Sequence, residues 1–160
     1  LKAVWGSGYD NVYAVGEQGT LLHYTETSGL FTPISLGTTS TLWSLWGNSE
    51  KNIWIVGEHG ALFFFDGNSF TQQHFLQNPA EETNDNLTGI WGNAQGQLFM
   101  GGGKTSKNPD ASFSASFIFF MFDGNNWQSD RTSLPSIITV LWGSGGQDVW
   151  AGTSGCAFHS

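Results

Sequence analysis

Apolar residues recur along this chain in short bursts bounded by glycine and polar turns, with no sustained three-to-four-residue spacing of an amphipathic helix. The clearest burst is an apolar residue followed by Trp-Gly. It occurs at Val4-Trp5-Gly6, Leu45-Trp46-Gly47, Ile90-Trp91-Gly92 and Leu141-Trp142-Gly143. The tryptophans lie 41, 45 and 51 residues apart. Self-similarity at such a period marks an array of small supersecondary units, none of which can bury its apolar surface alone.

The residues after each Trp-Gly repeat as well. A polar turn leads to Val12-Tyr13-Ala14-Val15, Ile53-Trp54-Ile55-Val56, Leu98-Phe99-Met100-Gly101 and Val149-Trp150-Ala151. A third burst covers 21–24, 62–65, 118–122 and 157–159. Asp66-Gly67-Asn68 and Asp123-Gly124-Asn125 then signal tight hairpins, because glycine tolerates the positive φ such turns require. A weaker fourth burst spans 31–36, 70–75 and 127–131. Each unit therefore predicts four antiparallel strands, A to D. The second strand is apolar at consecutive positions, whereas a strand with one wet face alternates. Blades stacked around an axis cover both faces of their inner strands, which accounts for the pattern.

The expected fold is all-β, a β-propeller of four-stranded antiparallel blades, with about 3.75 blades present. Residues 1–160 form one partial propeller domain. Blade one is 1–36, blade two 42–75, blade three 87–132 with an insertion at 103–116, and blade four 138–160, without its last strand. Three arrangements would complete a ring: further blades in a longer chain, a second copy, or a small four-bladed ring by itself. The first is favoured, so the chain reads as part of a larger ring.

The repeat resembles a bacterial propeller repeat of the form Val-Trp-Gly-Ser, Asp-Val-Tyr-Ala-Val-Gly, Gly-Thr-Leu-Leu-His-Tyr-Asp-Gly. That repeat is related to sialidase-type (BNR/Asp-box) and photosystem-assembly-factor-type propellers. The likeness is strongest in Val4-Trp5-Gly6-Ser7, at 12–16 and at 19–24. The stretch Phe122-Asp123-Gly124-Asn125-Asn126-Trp127 follows the Asp-box only in part. The resemblance implies a propeller and a bacterial protein that is secreted, periplasmic or at the cell surface. It does not imply one function, because such folds host many.

Charge narrows the partners. The formal net charge is -8, from 13 acidic and 5 basic residues. This argues against nucleic acid, which needs clustered Lys and Arg, and against an anionic membrane surface. No apolar run approaches the roughly 20 residues of a membrane-spanning helix, so no membrane insertion is expected. A sialidase-like site would need several arginines on a carboxylate, and the chain has only Arg131. A glycoside hydrolase needs two facing carboxylates. Asp66 and Asp123 share a hairpin position, and Glu17 and Glu58 share a Gly-Glu-x-Gly turn, which points to local backbone roles.

Candidate binding residues lie where the repeat is interrupted. One interruption is 76–86, between blades two and three; the other is 103–116, between strands B and C of blade three. In a four-stranded blade both connections emerge at the same end. They carry Glu81, Glu82, Asp85, Asn86, Lys104, Lys107, Asn108 and Asp110. Long surface loops are common sites of recognition. The acidic members match no calcium-loop spacing, and Asn86-Leu87-Thr88 is a glycosylation sequon. Trp127, on an outer strand, is the candidate sugar platform. Trp5, Trp46, Trp91 and Trp142 are expected to cover blade junctions, the glycine after each letting the chain leave the inner strand. His23 and His159 share a repeat slot with Phe64 and Met121, which makes it a packing position, and Cys156 aligns with Thr20 as a small strand residue. No metal or cofactor is expected. The reading is a non-catalytic binding or scaffold module that presents a loop-decorated face to a protein or glycan. The alternatives are a carbohydrate-binding lectin propeller, and a fragment of a glycoside hydrolase with its catalytic residues elsewhere.

Overall fold

The computed structural model describes residues 1–75, 85–111, 113–130, 137–153 and 155–159, with backbone alone at 104–107, 113–117 and 130. The described residues form four antiparallel sheets. The first contains β1 (Ala3–Gly8), β2 (Asn11–Val15), β3 (Leu21–Thr25) and β4 (Leu30–Pro33) in that order. The second contains β5 (Leu42–Ser49), β6 (Asn52–Gly57), β7 (Leu62–Phe65) and β8 (Phe70–Gln72). The third contains β9 (Asn86–Gly92), β10 (Leu98–Lys107), β11 (Phe113–Phe122) and β12 (Trp127–Asp130). The fourth has β13 (Ile138–Gly145), β14 (Asp148–Thr153) and β15 (Ala157–His159). Among the described residues the one helical element is a single 3-10 turn, Glu58–Gly60, between β6 and β7.

The cores lie between sheets. Tyr13, Val15, Leu21, Leu42, Leu45, Ile53 and Ile55 fill the gap between the first two. Val56, Leu62, Leu87, Ile90, Met100, Ile118 and Phe120 fill the next, and Phe99, Ile138, Leu141 and Val149 the third. The period of two along β6 explains its doubly apolar sequence. Ile53 and Ile55 enter the first core, whereas Trp54 and Val56 enter or pack against the second. Each such side chain contributes about 1.5–3 kcal/mol through burial.

The Trp-Gly dipeptide is the joint between blades. A Cβ added at Gly47 would lie 2.8 Å from Trp5 Cζ2, one at Gly92 2.7 Å from Trp46 Cη2, and one at Gly143 2.8 Å from Trp91 Cη2. Each tryptophan thus rests on the glycine of the next blade's Trp-Gly. The glycine makes room for the preceding indole and also for the second strand of its own blade, since a Cβ at Gly143 would lie 2.5 Å from Asp148 O. Trp142 has no such seat among the described residues and is 59% exposed.

Blade three departs from the expected loop at 103–116. The β10–β11 pairing does not stop where its counterparts stop, at Val15↔Leu21 and Val56↔Leu62. It continues from Gly102↔Ile118 to Lys107↔Phe113. The insertion is therefore a hairpin arm that projects about 20 Å beyond its neighbours, at ~3.3 Å per residue. Its Ser, Thr, Ala and Lys residues carry no apolar alternation. The pairing is continued by backbone hydrogen bonds from a hairpin already anchored in the core, so sequence periodicity gave no sign of it. Cys156 also differs from expectation: it is exposed and precedes β15 rather than lying within it, its carbonyl accepting the Thr153 N–H at 2.9 Å.

Candidate functional site

The arm sits at the end of the molecule where the B–C turns and D–A connections meet. Adjoining turns there are short and stitched to the linkers. Gly19 N–H donates to Ser40 O at 3.0 Å, and Gly60 N–H donates to Asp85 O at 2.9 Å. The Gly-Glu-x-Gly acids are part of this stitching. Glu17 pairs with Lys2 Nζ at 2.9 Å, which holds its carboxyl below the usual range, and Glu58 accepts the Thr41 N–H at 2.9 Å.

The candidate residues of this end fall into separate settings. Glu81 and Glu82 lie outside the described residues. Asp85 is buried, and Asn86 Oδ1 accepts the His59 N–H at 3.3 Å. Lys104 and Lys107 belong to the β10 half of the arm, and Asn108 and Asp110 to its tip. The Ala111 N–H donates to Asn108 O at 3.0 Å, closing the turn. Asn86 thus pairs with Gly103 at the base of the arm while it also holds the His59 turn, and Asp85 accepts the Gly60 N–H through its carbonyl.

Trp127 differs from the free platform envisaged for a sugar. Its indole is half-buried, 4.8 Å from the Phe122 ring and 6.2 Å edge-on from Trp54. Asp66 and Asp123 act within their own turns. Asp66 Oδ1 accepts the N–H groups of Asn68 at 2.8 Å and Ser69 at 2.9 Å; Asp123 Oδ1 accepts those of Asn125 and Asn126, both at 2.8 Å. These donors hold both carboxyls below the ordinary aspartate value, so both stay ionised and engaged. His23 lies flat on Tyr13, at 4.1 Å and 5°, with Nε2 bonded to Asn11 Oδ1 at 2.7 Å. His159 repeats this on Trp150 at 4.4 Å, with Nε2 on Asp148 Oδ1 at 2.7 Å.

The opposite end, where A–B and C–D turns meet, holds a cavity of about 450 Å³ between blades one and two. Sequence reading missed it, because attention went to places where the repeat changes length. The available signal was substitution within the repeat: Glu50 stands where the other blades have Tyr9, Gln95 and Gly146, and Tyr13 where blades two and four have Trp54 and Trp150.

Four sheets whose cores lie between them and whose inner strands join by an indole-on-glycine step define part of a β-propeller. No family model matches the chain, and none of the curated proteins searched matches it either. Among solved structures it is similar to YCF48 bound to D1 peptide, a propeller, with a TM-score of 0.65 and 18% identity. The match covers 96% of this chain and 46% of that one. The chain thus spans about half the length of this neighbour.

Proposed function

We propose that the chain is part of a non-catalytic propeller that holds an extended segment of a partner protein at the end bearing the β10–β11 arm. The observation that carries this reading is the arm's free backbone. Among the described residues β9 accompanies β10 only as far as Gly103, and β12 accompanies β11 only from Phe119 onward. Beyond those points each arm strand has, among the described residues, a neighbour on one side, which would leave N–H and C=O groups for an incoming strand. Strand addition supplies affinity through the main chain and tolerates varied side chains. YCF48, of the same architecture, has been solved with a bound peptide, which is the same class of ligand. The glycan alternative loses support because Trp127 is engaged in an aromatic cluster. The hydrolase alternative loses support because Asp66 and Asp123 are engaged in their turns. Further blades in the same chain, or a second copy, would cover Trp142 in the complete ring.

The test is to select binders from a library of unstructured peptides and map them by hydrogen exchange. Protection should appear at 103–107 and 113–118. Replacing 103–116 by a two-residue Asn-Gly turn should abolish binding and leave the melting transition in place. Binders that protect other segments, or that survive removal of the arm, overturn the reading.

A further inference from the structure

The cavity between blades one and two has an aromatic floor and an acidic rim. Tyr13 is 3% exposed and lines it, and its hydroxyl has no hydrogen-bond partner among the described residues. The oxygen itself is reached by solvent, since among the described residues the one buried side-chain polar atom without a partner is Trp43 Nε1, so it is open to a ligand in the cavity. Beside it lie the His23 ring, stacked at 4.1 Å, and Phe65, 6.1 Å away. Burial pushes the Tyr13 pKa up, and the Glu50 carboxylate adds to this, so the hydroxyl stays protonated. Burial pushes the His23 pKa down, which keeps that ring neutral and electron-rich.

The rim carries Asp10, Glu26 and Glu50 against Lys51 alone, three negative charges to one positive. None of the three carboxylates forms an ion pair among the described residues; the one contact of Glu50 is an accepted bond from Ser7 Oγ at 3.5 Å. The equivalent position between blades two and three carries a different set of rings. There Trp54 replaces Tyr13 and meets Phe122 and Trp127 at 6.3 and 6.2 Å, and its Nε1 donates to Asn52 Oδ1 at 2.8 Å. The open floor, the unused hydroxyl and the unpaired acids therefore coincide at one junction.

We propose that this cavity binds a guanidinium or ammonium group carried on an apolar stem, either an arginine or lysine side chain of a partner or a free organic cation. The stem would lie on His23 and Phe65. The cationic head would donate to Glu50 and Glu26 and to the Tyr13 oxygen, with the rings adding cation–π attraction. The volume lies within the range of about 300–1,000 Å³ for small-ligand sites. Phosphate-bearing ligands are disfavoured by the net negative rim. This site is at the end opposite the arm and stands independently of the peptide-holding role.

The experiment is NMR titration of the full chain with arginine amide, citrulline amide and a short Gly-Arg-Gly peptide. Arginine amide should shift the Tyr13 and His23 signals, and citrulline amide, its neutral counterpart, should not. Glu50→Gln should weaken binding about tenfold and Tyr13→Phe several-fold, since each removes one bond to a charged group. The unchanged spectrum of remote residues in each variant checks the fold. Peptide binding more than tenfold tighter than the amide assigns the site to a partner's side chain, and equal binding to a free cation. Shifts from citrulline amide equal to those from arginine amide, shifts confined to other regions, or no shift from any probe overturn the proposal. Undiminished affinity in Glu50→Gln overturns it too.

Discussion

Two junctions of this molecule share a plan and differ in content. Between blades one and two, Tyr13 meets Phe65 and Phe70, each at 6.1 Å. Between blades two and three, Trp54 meets Phe122 and Trp127 in the same slots. In the second set the larger indole is half-buried, and its N–H is satisfied by Asn52. The first set is open, with a smaller ring, an unpartnered hydroxyl and acids in the flanking turns. The difference teaches that a repeat fixes where rings sit, whereas the size and polarity of each ring decide whether a junction is core or cavity.

The largest effects should come from the shared plan. Phe120→Ala, in the second junction, should cost about 3–5 kcal/mol in urea unfolding, and Ile55→Ala, in the first, about 2–5 kcal/mol. A loss at Ile55 below 1 kcal/mol would mean that the first junction is not a true core. Gly92→Ala should follow at about 1–3 kcal/mol, because a Cβ there would lie 2.7 Å from the Trp46 ring. The same change at Gly145, where a Cβ would meet nothing within 4 Å, should be tolerated.

A more pointed test grafts one junction onto the other. Tyr13→Trp with His23→Phe should fill the cavity, remove arginine-amide binding and leave the melting temperature within a few degrees of the parent. Continued binding would show that the aromatic floor is not the determinant. The exposed face of blade four supplies a third contrast. Trp46→Ala should cost about 3 kcal/mol, whereas Trp142→Ala should change stability by less than about 0.5 kcal/mol. The latter should also lower any self-association seen by light scattering, because Trp142, Val140 and Trp150 form an exposed apolar face at 59%, 57% and 44%.

The smallest expected effect is on pH dependence. His23 has its pKa lowered by burial, so the folded state binds the proton less readily than the unfolded chain. Its contribution is complete above the unfolded value of about 6.5 and is lost as pH falls towards the folded value. Tyr13, raised by burial, contributes in the opposite sense, fully below about pH 10 and less above it. Stability should therefore be greatest between these limits. Phe64 occupies the His23 slot in blade two, so His23→Phe should flatten the acid-side slope in thermal melts from pH 7 to pH 5. A slope unchanged by that substitution would assign the effect to other groups.

Much of the architecture was legible because it is repetitive. Four Trp-Gly dipeptides, four doubly apolar second strands and two Asp-Gly turns each point to the same unit, and agreement among independent local signals is strong evidence of fold. The candidate site was less legible. Interrupted spacing drew attention to 76–86 and 103–116, yet it did not show that the latter continues a hairpin or that Asp85 is buried. Length variation marks where a chain differs, but the pairing of an inserted segment depends on what anchors it.

The sequence alone therefore determined the blade: its strands, its turns and the positions of its large rings, because these follow from alternation and turn chemistry within about 45 residues. Only the tertiary structure decided what lies between blades. Tyr13, Phe65, Glu26 and Glu50 are distant along the chain, and none is unusual in its own strand or turn. They become a cavity because adjacent sheets face each other, bringing one blade's second strand against the next blade's outer strands. The same contact explains Trp-Gly: indole and glycine recur side by side in the sequence, but the pair that touches is the indole of one blade and the glycine of the next.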